Sequence, residues 1–482
     1  MPKESIDLIV RNGTVVTLNS DREIIEDGAV AIKGNRIVDV GPDAKVSEKY
    51  AASQEIDAKG MAVLPGFINA HTHATHNLLR GGLSQDRILY DWLQNVLYAG
   101  LAQYTGEDAR TAATLYCIES IRGGITTSVD NADFGMRDEL SENTIEMYIK
   151  HGIRGIYARM FSDNEPGGEE GLMEALAMKE PRLIHAENYI EDTDEALASM
   201  RRLMKKYHGA AGGRISVWPS PGIPLFLTPE GMLGALKLAE EFDTMLSTHL
   251  AESQADAKTF GISTTQYLAY IGYLNSRILA GHCVWMDDRD LRILKMYDVK
   301  VANLAVSNQF LASGLAPIAK MINLGITVGI GTDDTNCNDS VNMLSDMKHV
   351  ALLQKVANLD AGAITSETVL EMATIEGAKA VGMEKDLGSI ENGKIADIIT
   401  IDMNKPHLKP CHHIPSVLVY QANGSEVDTT IIDGKVLMTG GKLTLISEKE
   451  ENEVMEKAQI ASRRIAEEAG MDMERGWKKF NL

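Results

Sequence analysis

Four of the twelve histidines in this 482-residue chain share a pattern with nearby carboxylates. His71 and His73 are two residues apart, so on a strand both imidazoles project from the same face. His249 is followed three residues later by Glu252, His282 closes an apolar run, and Asp333-Asp334 follows Gly331-Thr332. An HxH pair alone is an ordinary strand end. Joined to His249 and Asp333 it offers three imidazoles and a carboxylate. That donor set suits one divalent transition ion, Zn²⁺ or Fe²⁺, with a position left for water.

Residues so far apart in sequence need a scaffold that gathers them. Each group ends a short apolar or β-branched run, and eight such runs are expected as strands: Val63–Ala70, Ile125–Val129, Gly155–Met160, Arg214–Trp218, Thr244–His249, Arg277–His282, Val299–Val306 and Ile326–Ile330. Segments with helical periodicity lie between them, such as Glu107–Arg122 and Pro229–Phe242. Eight β–α units in one stretch predict an α/β fold with a (β/α)₈ TIM barrel over 61–385. Barrel chemistry sits at the C-terminal ends of the strands. His71 and His73 (first run), Asp130 and Asn131 (second), His249 and Glu252 (fifth), His282 (sixth), Ser307 and Asn308 (seventh) and Asp333 and Asp334 (eighth) are all expected there.

The ends of the chain have a different texture. Apolar runs about Asn12-Gly13, Gly34-Asn35 and Asp433-Gly434 carry hairpin signals. They predict a small β-sandwich domain built from both termini, 1–60 with 386–448. The charged segment Glu448–Gly470 reads as a surface helix within a C-terminal helical tail, 449–482.

Lys plus Arg total 47 against 68 Asp plus Glu, a net charge of −21. That balance argues against nucleic acid and anionic membrane surfaces as partners. No apolar run reaches the ~18 residues of a membrane span, and the N-terminus does not read as a signal peptide. The four cysteines, Cys117, Cys283, Cys337 and Cys411, form no CxxC pair, so neither a disulfide framework nor a structural zinc site is implied. A cytoplasmic protein with buried, reduced thiols is expected. His151, His185, His208 and His407 lie away from strand ends and are expected to be structural, and His412-His413 to lie at the surface.

The stretch from Pro65 through His71 and His73, then His249-xx-Glu252, His282, Gly331-Thr332-Asp333-Asp334 and the closing Gly388–Asp397 segment together resemble the amidohydrolase superfamily. Longer stretches, Gly212–Pro219 and Val328–Met343, are similar to its branch of aminohydrolases acting on nitrogen heterocycles, the branch that holds melamine deaminase and atrazine chlorohydrolase. The resemblance implies one divalent metal on His71, His73, His249 and Asp333. Two-metal members carry a lysine at the end of strand four, and here that strand runs Val217-Trp218-Pro219-Ser220 with none.

What the resemblance implies chemically is hydrolytic replacement of a group on an electron-poor ring carbon. A bound metal lowers the pKa of water toward ~7. Glu252 would take the proton and deliver it to a ring nitrogen. His282 would steady the attacking oxygen or the developing charge, and Asp333 would be a ligand able to take a second proton. Asp334, Cys337, Leu89 and Asp130 look like the deaminating members rather than the dehalogenating one, where asparagine and serine replace the first two. Ammonia needs a proton to leave and chloride does not, so an acid at 334 favours deamination, with hydrolysis of C–Cl, C–S or amide bonds as the alternative. His76 stands where the triazine enzymes have glutamine, which leaves aminotriazines such as melamine and aminopurines such as guanine both open. Trp92, with Tyr90, is able to stack on such a ring or to pack as a helix face. Homo-oligomerisation is also implied, with the C-terminal helix and Met-rich segments as interface material.

Overall fold

The computed structural model describes residues 2–164, 190–255 and 260–473. Eight parallel strands form the barrel: Phe67–His73, Ile125–Ala132, Arg154–Phe161, Ile215–Pro221, Leu246–Leu250, Ile278–His282, Lys300–Asn303 and Val328–Ile330. Every residue of the first three is buried, because core side chains fill one face and helices cover the other. The first four strands hydrogen-bond into one sheet and the last four into another. The amide of His249 donates to the Gly222 carbonyl at 3.1 Å and joins the fourth strand to the fifth.

Closure between the eighth and first strands falls at the site. Val328–Ile330 pairs with the seventh strand, and the chain then resumes as Asp333–Asp334 beside Thr72 and His73. Gly331 permits this approach. A Cβ there would lie 2.5 Å from the His71 carbonyl oxygen and 2.9 Å from the His71 Cβ.

Two expected strands are redrawn. Val63–Ala70 spans two elements: Met61–Pro65 belongs to the terminal sheet, pairing with Ile398–Asp402, and the barrel begins at Phe67. The break falls at Pro65-Gly66, where a side chain on Gly66 would meet Thr126 at 2.1 Å. The seventh strand stops at Asn303, and Ser307 and Asn308 sit on the helix Ala305–Phe310 that follows. Four residues suffice to span the gap between its neighbours, and the rest of the apolar run packs as a helix.

Strands from 4–65 and 398–443 form one nine-stranded sheet. Gly34-Asn35 and Asp433-Gly434 make the hairpins expected of them. Asn12-Gly13 does not: Glu4–Val16 runs through it as one strand with a bulge, because the chain continues in the same direction beside Val63. By strand order, Arg36–Pro42 and Val427–Ile432 are five strands apart, roughly 24 Å in a flat sheet. Yet the Asn35 amide donates to Asp433 at 2.9 Å. The sheet therefore curls on itself, enclosing Val10, Val15, Ile32, Ile37, Ile398 and Ile431 as a two-layered core. It is tied to the barrel by the buried Arg154–Asp397 ion pair at 3.0 Å.

The C-terminal helix Glu448–Glu468 starts on a Ser447/Glu450 capping box. Its Ala458, Ala461 and Ile465 pack with Leu79, Leu89, Trp92 and Leu97, so this helix backs the long loop after the first strand. Among the described residues no helix is long and apolar enough to cross a membrane. His185 and the tail beyond 473 lie outside the described residues.

Candidate active site

The strand ends bring His71, His73, His249, His282 and Asp333 to one point. The Asp333 Oδ1 lies 3.4 Å from His71 Nε2 and 3.6 Å from His73 Nε2, and His249 Nε2 lies 3.3 Å from His73 Nε2. Ligands 2.0–2.1 Å from a tetrahedral ion are about 3.3 Å apart, so these separations fit a single metal. The ligand atoms of His71, His73 and His249, and those of His71, His282 and Asp333, each fall within 4.8 Å of one another. His71 Nε2 and His282 Nε2 are buried with no hydrogen bond, which a buried polar atom rarely tolerates. The donor set thus fits a divalent transition metal, with His71, His73, His249 and Asp333 as holders and His282 within reach.

Electrostatics agree with that reading. Burial pushes His73 and His249 well below the ordinary imidazole range, helped by neighbouring rings, and burial lowers His71 against the pull of Asp333. All three are thus the neutral form that ligation requires. Burial alone would raise Asp333, but the facing His282, His71 and His73 hold it well below the usual carboxylate range. The backbone is strained at the same place. Ala251, His282 and Asp333 have φ of 47°, 66° and 60°, a region costly for residues with side chains.

Around this cluster the neighbours fix orientation. His282 Nδ1 donates to Asn308 Oδ1 at 2.9 Å, leaving Nε2 bare and 3.4 Å from Glu252. The Asn131 amide sits 3.0 Å from His71 Nδ1 and 3.2 Å from Ser220 Oγ. Asn131 Nδ2 is the atom that faces His71 and its Oδ1 accepts from Ser220; exchanging the two amide atoms would let His71 Nδ1–H donate and leave Nε2 a lone pair for the metal. Asn131 and Asn308, read from the sequence as candidates either for supporting the ligands or for hydrogen-bonding substrate, therefore lie against ligating and neighbouring rings, and neither is among the residues lining the cavity. Asp130 is redirected too: one oxygen accepts from the Ala74 amide at 2.9 Å and the other from Tyr148 at 2.6 Å. It anchors the turn after His73. His76 is fully buried, stacked on His73 at 5.1 Å and 2.5 Å from Asp334, and it too lies outside the cavity lining.

The cavity over the cluster is lined by His73, Leu89, Trp92, His249, Glu252, His282, Ser307, Asp333, Asp334 and Cys337 from the residues singled out in the sequence. Trp92 Nε1 donates to Asn336 and Ser84, which fixes its ring in the wall, while the Tyr90 hydroxyl contacts Ser253. Cys337 contacts Ser307 at 3.2 Å, and burial keeps its thiol well above the ordinary value, so it is no nucleophile. Asp133, Met160, Ser162, Ile223, Phe226 and Leu311 also line the cavity and were not picked out by sequence reasoning. Asp133 alone carried a signal, as a carboxylate just past the second strand.

Barrel and cluster together define a metal-dependent hydrolase with its centre at the barrel mouth. Residues 62–437 match the model of the amidohydrolase family, and the chain belongs to that family. It is 34% identical over 467 residues to a 5′-deoxyadenosine deaminase of Methanosarcina mazei, covering 95% of this chain and 98% of that one. It is 32% identical over 478 residues to an S-triazine hydrolase of Gordonia rubripertincta, covering 98% of each. Its fold superimposes on a zinc-bound adenosine deaminase of Xanthomonas campestris with a TM-score of 0.86 at 27% identity, covering 97% of this chain and all of that one. The protein is a hydrolase of C–N bonds in cyclic amidines.

Proposed function

We propose that the substrate is an aminopurine whose exocyclic amine is replaced by oxygen from water, with one metal ion per chain. The observation that carries deamination over dehalogenation is the Asp334–His76 pair, an acid held at 2.5 Å from an imidazole and facing the cavity. The resident metal supplies Lewis-acid activation of water.

The chain's own groups account for the protons. Water adds to the amidine carbon and loses one proton to Glu252, which lines the cavity beside His282. Glu252 passes that proton to the adjacent ring nitrogen as the carbon becomes tetrahedral. His282, fixed through Asn308, presents Nε2 to the attacking oxygen. The remaining oxygen-borne proton goes to the amine, with Asp334 and Asp333 as the nearby carboxylates, and ammonia leaves. Leu89, Trp92, Leu93, Ile223, Phe226 and Leu311 give apolar walls for a flat ring and exclude bulk water.

The purine reading over the triazine one draws on the similarity to nucleoside deaminases. A cytoplasmic homo-oligomer is part of the same reading. The test is ammonia release from adenosine, adenine, guanine and melamine by metal-replete protein, with chloride release from atrazine as control and His249→Ala as blank. Ammonia from a purine, absent in the blank, is expected; chloride release alone would overturn the reading.

A further inference from the structure

Among the described residues four carboxylates line the cavity, and three are committed. Asp333 belongs to the metal cluster, Glu252 stands beside His282, and Asp334 accepts from the Asn336 amide at 2.9 Å while facing His76. The fourth, Asp133, makes no hydrogen bond or ion pair among the described residues. It follows Ala132, the last residue of the second barrel strand, and shares its wall with Met160 and Ser162 from the end of the third.

The cations nearest in effect, Arg159 and Arg137, are occupied. Arg159 pairs with Glu191 at 2.6 Å and donates to the Gly135 carbonyl at 2.8 Å, and Arg137 donates to the Leu101 carbonyl at 2.8 Å. Their fields oppose the rise that burial imposes on Asp133 without using its oxygens. Two acceptor oxygens on a cavity wall have a matching ligand: a pair of hydroxyl donors at fixed spacing. Among the described residues no lysine or arginine lines the cavity.

We infer that Asp133 is a specificity residue that receives the vicinal hydroxyls of a ribose on the heterocycle, making the substrate a nucleoside. This rests on the aminopurine reading above. Ser162 is the neighbouring hydroxyl on the same wall.

The experiment compares kcat/KM of the metal-replete protein on adenosine and its 2′,3′-dideoxy analogue, for wild type and Asp133→Asn, with metal content and circular dichroism as checks on folding. Wild type should prefer adenosine by about ten- to a hundred-fold, the scale of hydrogen bonds to a charged acceptor. In Asp133→Asn that preference should shrink toward unity. Equal rates on the two nucleosides in wild type, or an undiminished preference in the variant, would overturn the assignment and leave the aminopurine reading standing. Should the variant not fold, the wild-type comparison still decides. Ammonia from melamine alone and from no purine would remove both.

Discussion

His76 and Asp334 face each other across 2.5 Å inside the barrel mouth, with the His76 ring stacked on His73. The contact joins the loop after the first strand to the end of the eighth, the seam where the barrel closes. It places an acid at the cavity and holds it through a ring that cannot reach the cavity itself.

Asp334→Asn removes the ionisable group and keeps the shape. Deamination should fall about a hundred-fold or more, the scale of general acid–base assistance. Displacement of chloride from the same ring should fall far less, since chloride leaves without a proton. Parallel ammonia and chloride assays on amino- and chloro-substituted rings check this, and equal losses would count against a role in proton delivery.

Glu252→Gln should bind metal as wild type does and lose 10²- to 10⁴-fold in kcat. Metal analysis beside steady-state rates reads both halves. More than about a tenth of the activity surviving would sink the assignment of Glu252 as proton carrier.

Dialysis against a chelator should abolish turnover, and one equivalent of Zn²⁺ or Fe²⁺ per chain should restore it. His73→Ala should hold far less metal, because it removes one edge of the ligand set. Restoration that needs two equivalents would argue for a second ion.

Gly331→Ala tests the closure of the barrel. The added methyl would press within 2.5 Å of the His71 carbonyl and 2.6 Å of Leu304. A cost of about 1–3 kcal/mol in unfolding free energy is expected, with weakened metal retention because His71 shifts. Denaturant melts of the metal-loaded variant measure the first and metal analysis the second.

His151 is buried beside Thr114, and burial pushes it down to about 4 from an unfolded value near 6.5. Between those values the unfolded chain binds a proton that the folded chain refuses. Its contribution is therefore complete above about pH 6.5 and is lost as the pH falls toward 4, by up to about 3 kcal/mol. His151→Gln should flatten the fall of the urea midpoint in that window, and an unaltered slope would assign the acid sensitivity elsewhere.

Eight short apolar runs separated by helical periodicity are a strong local signal, because parallel strands covered on both faces must be continuously apolar. The barrel was legible for that reason. Local signals failed where a long-range partner decided the outcome. Asn12-Gly13 has hairpin chemistry but sits in a bulge, and Pro65-Gly66 is a domain crossing hidden inside one apolar run.

Residue type and spacing alone determined the metal-ligand candidates, since a transition metal accepts few side chains and the barrel displays strand ends at one face. What a second polar residue does depends on which neighbour it meets. Asp130 and Asn131 are adjacent, yet one anchors a turn through Tyr148 and the other lies against His71. Asp133, three residues on, is the carboxylate left open to the cavity. Alternation along a strand does not announce which carboxylate stays unpartnered. That is settled by the packing of Ala74, Tyr148 and Ser220 from other elements, and only the tertiary structure brings those together.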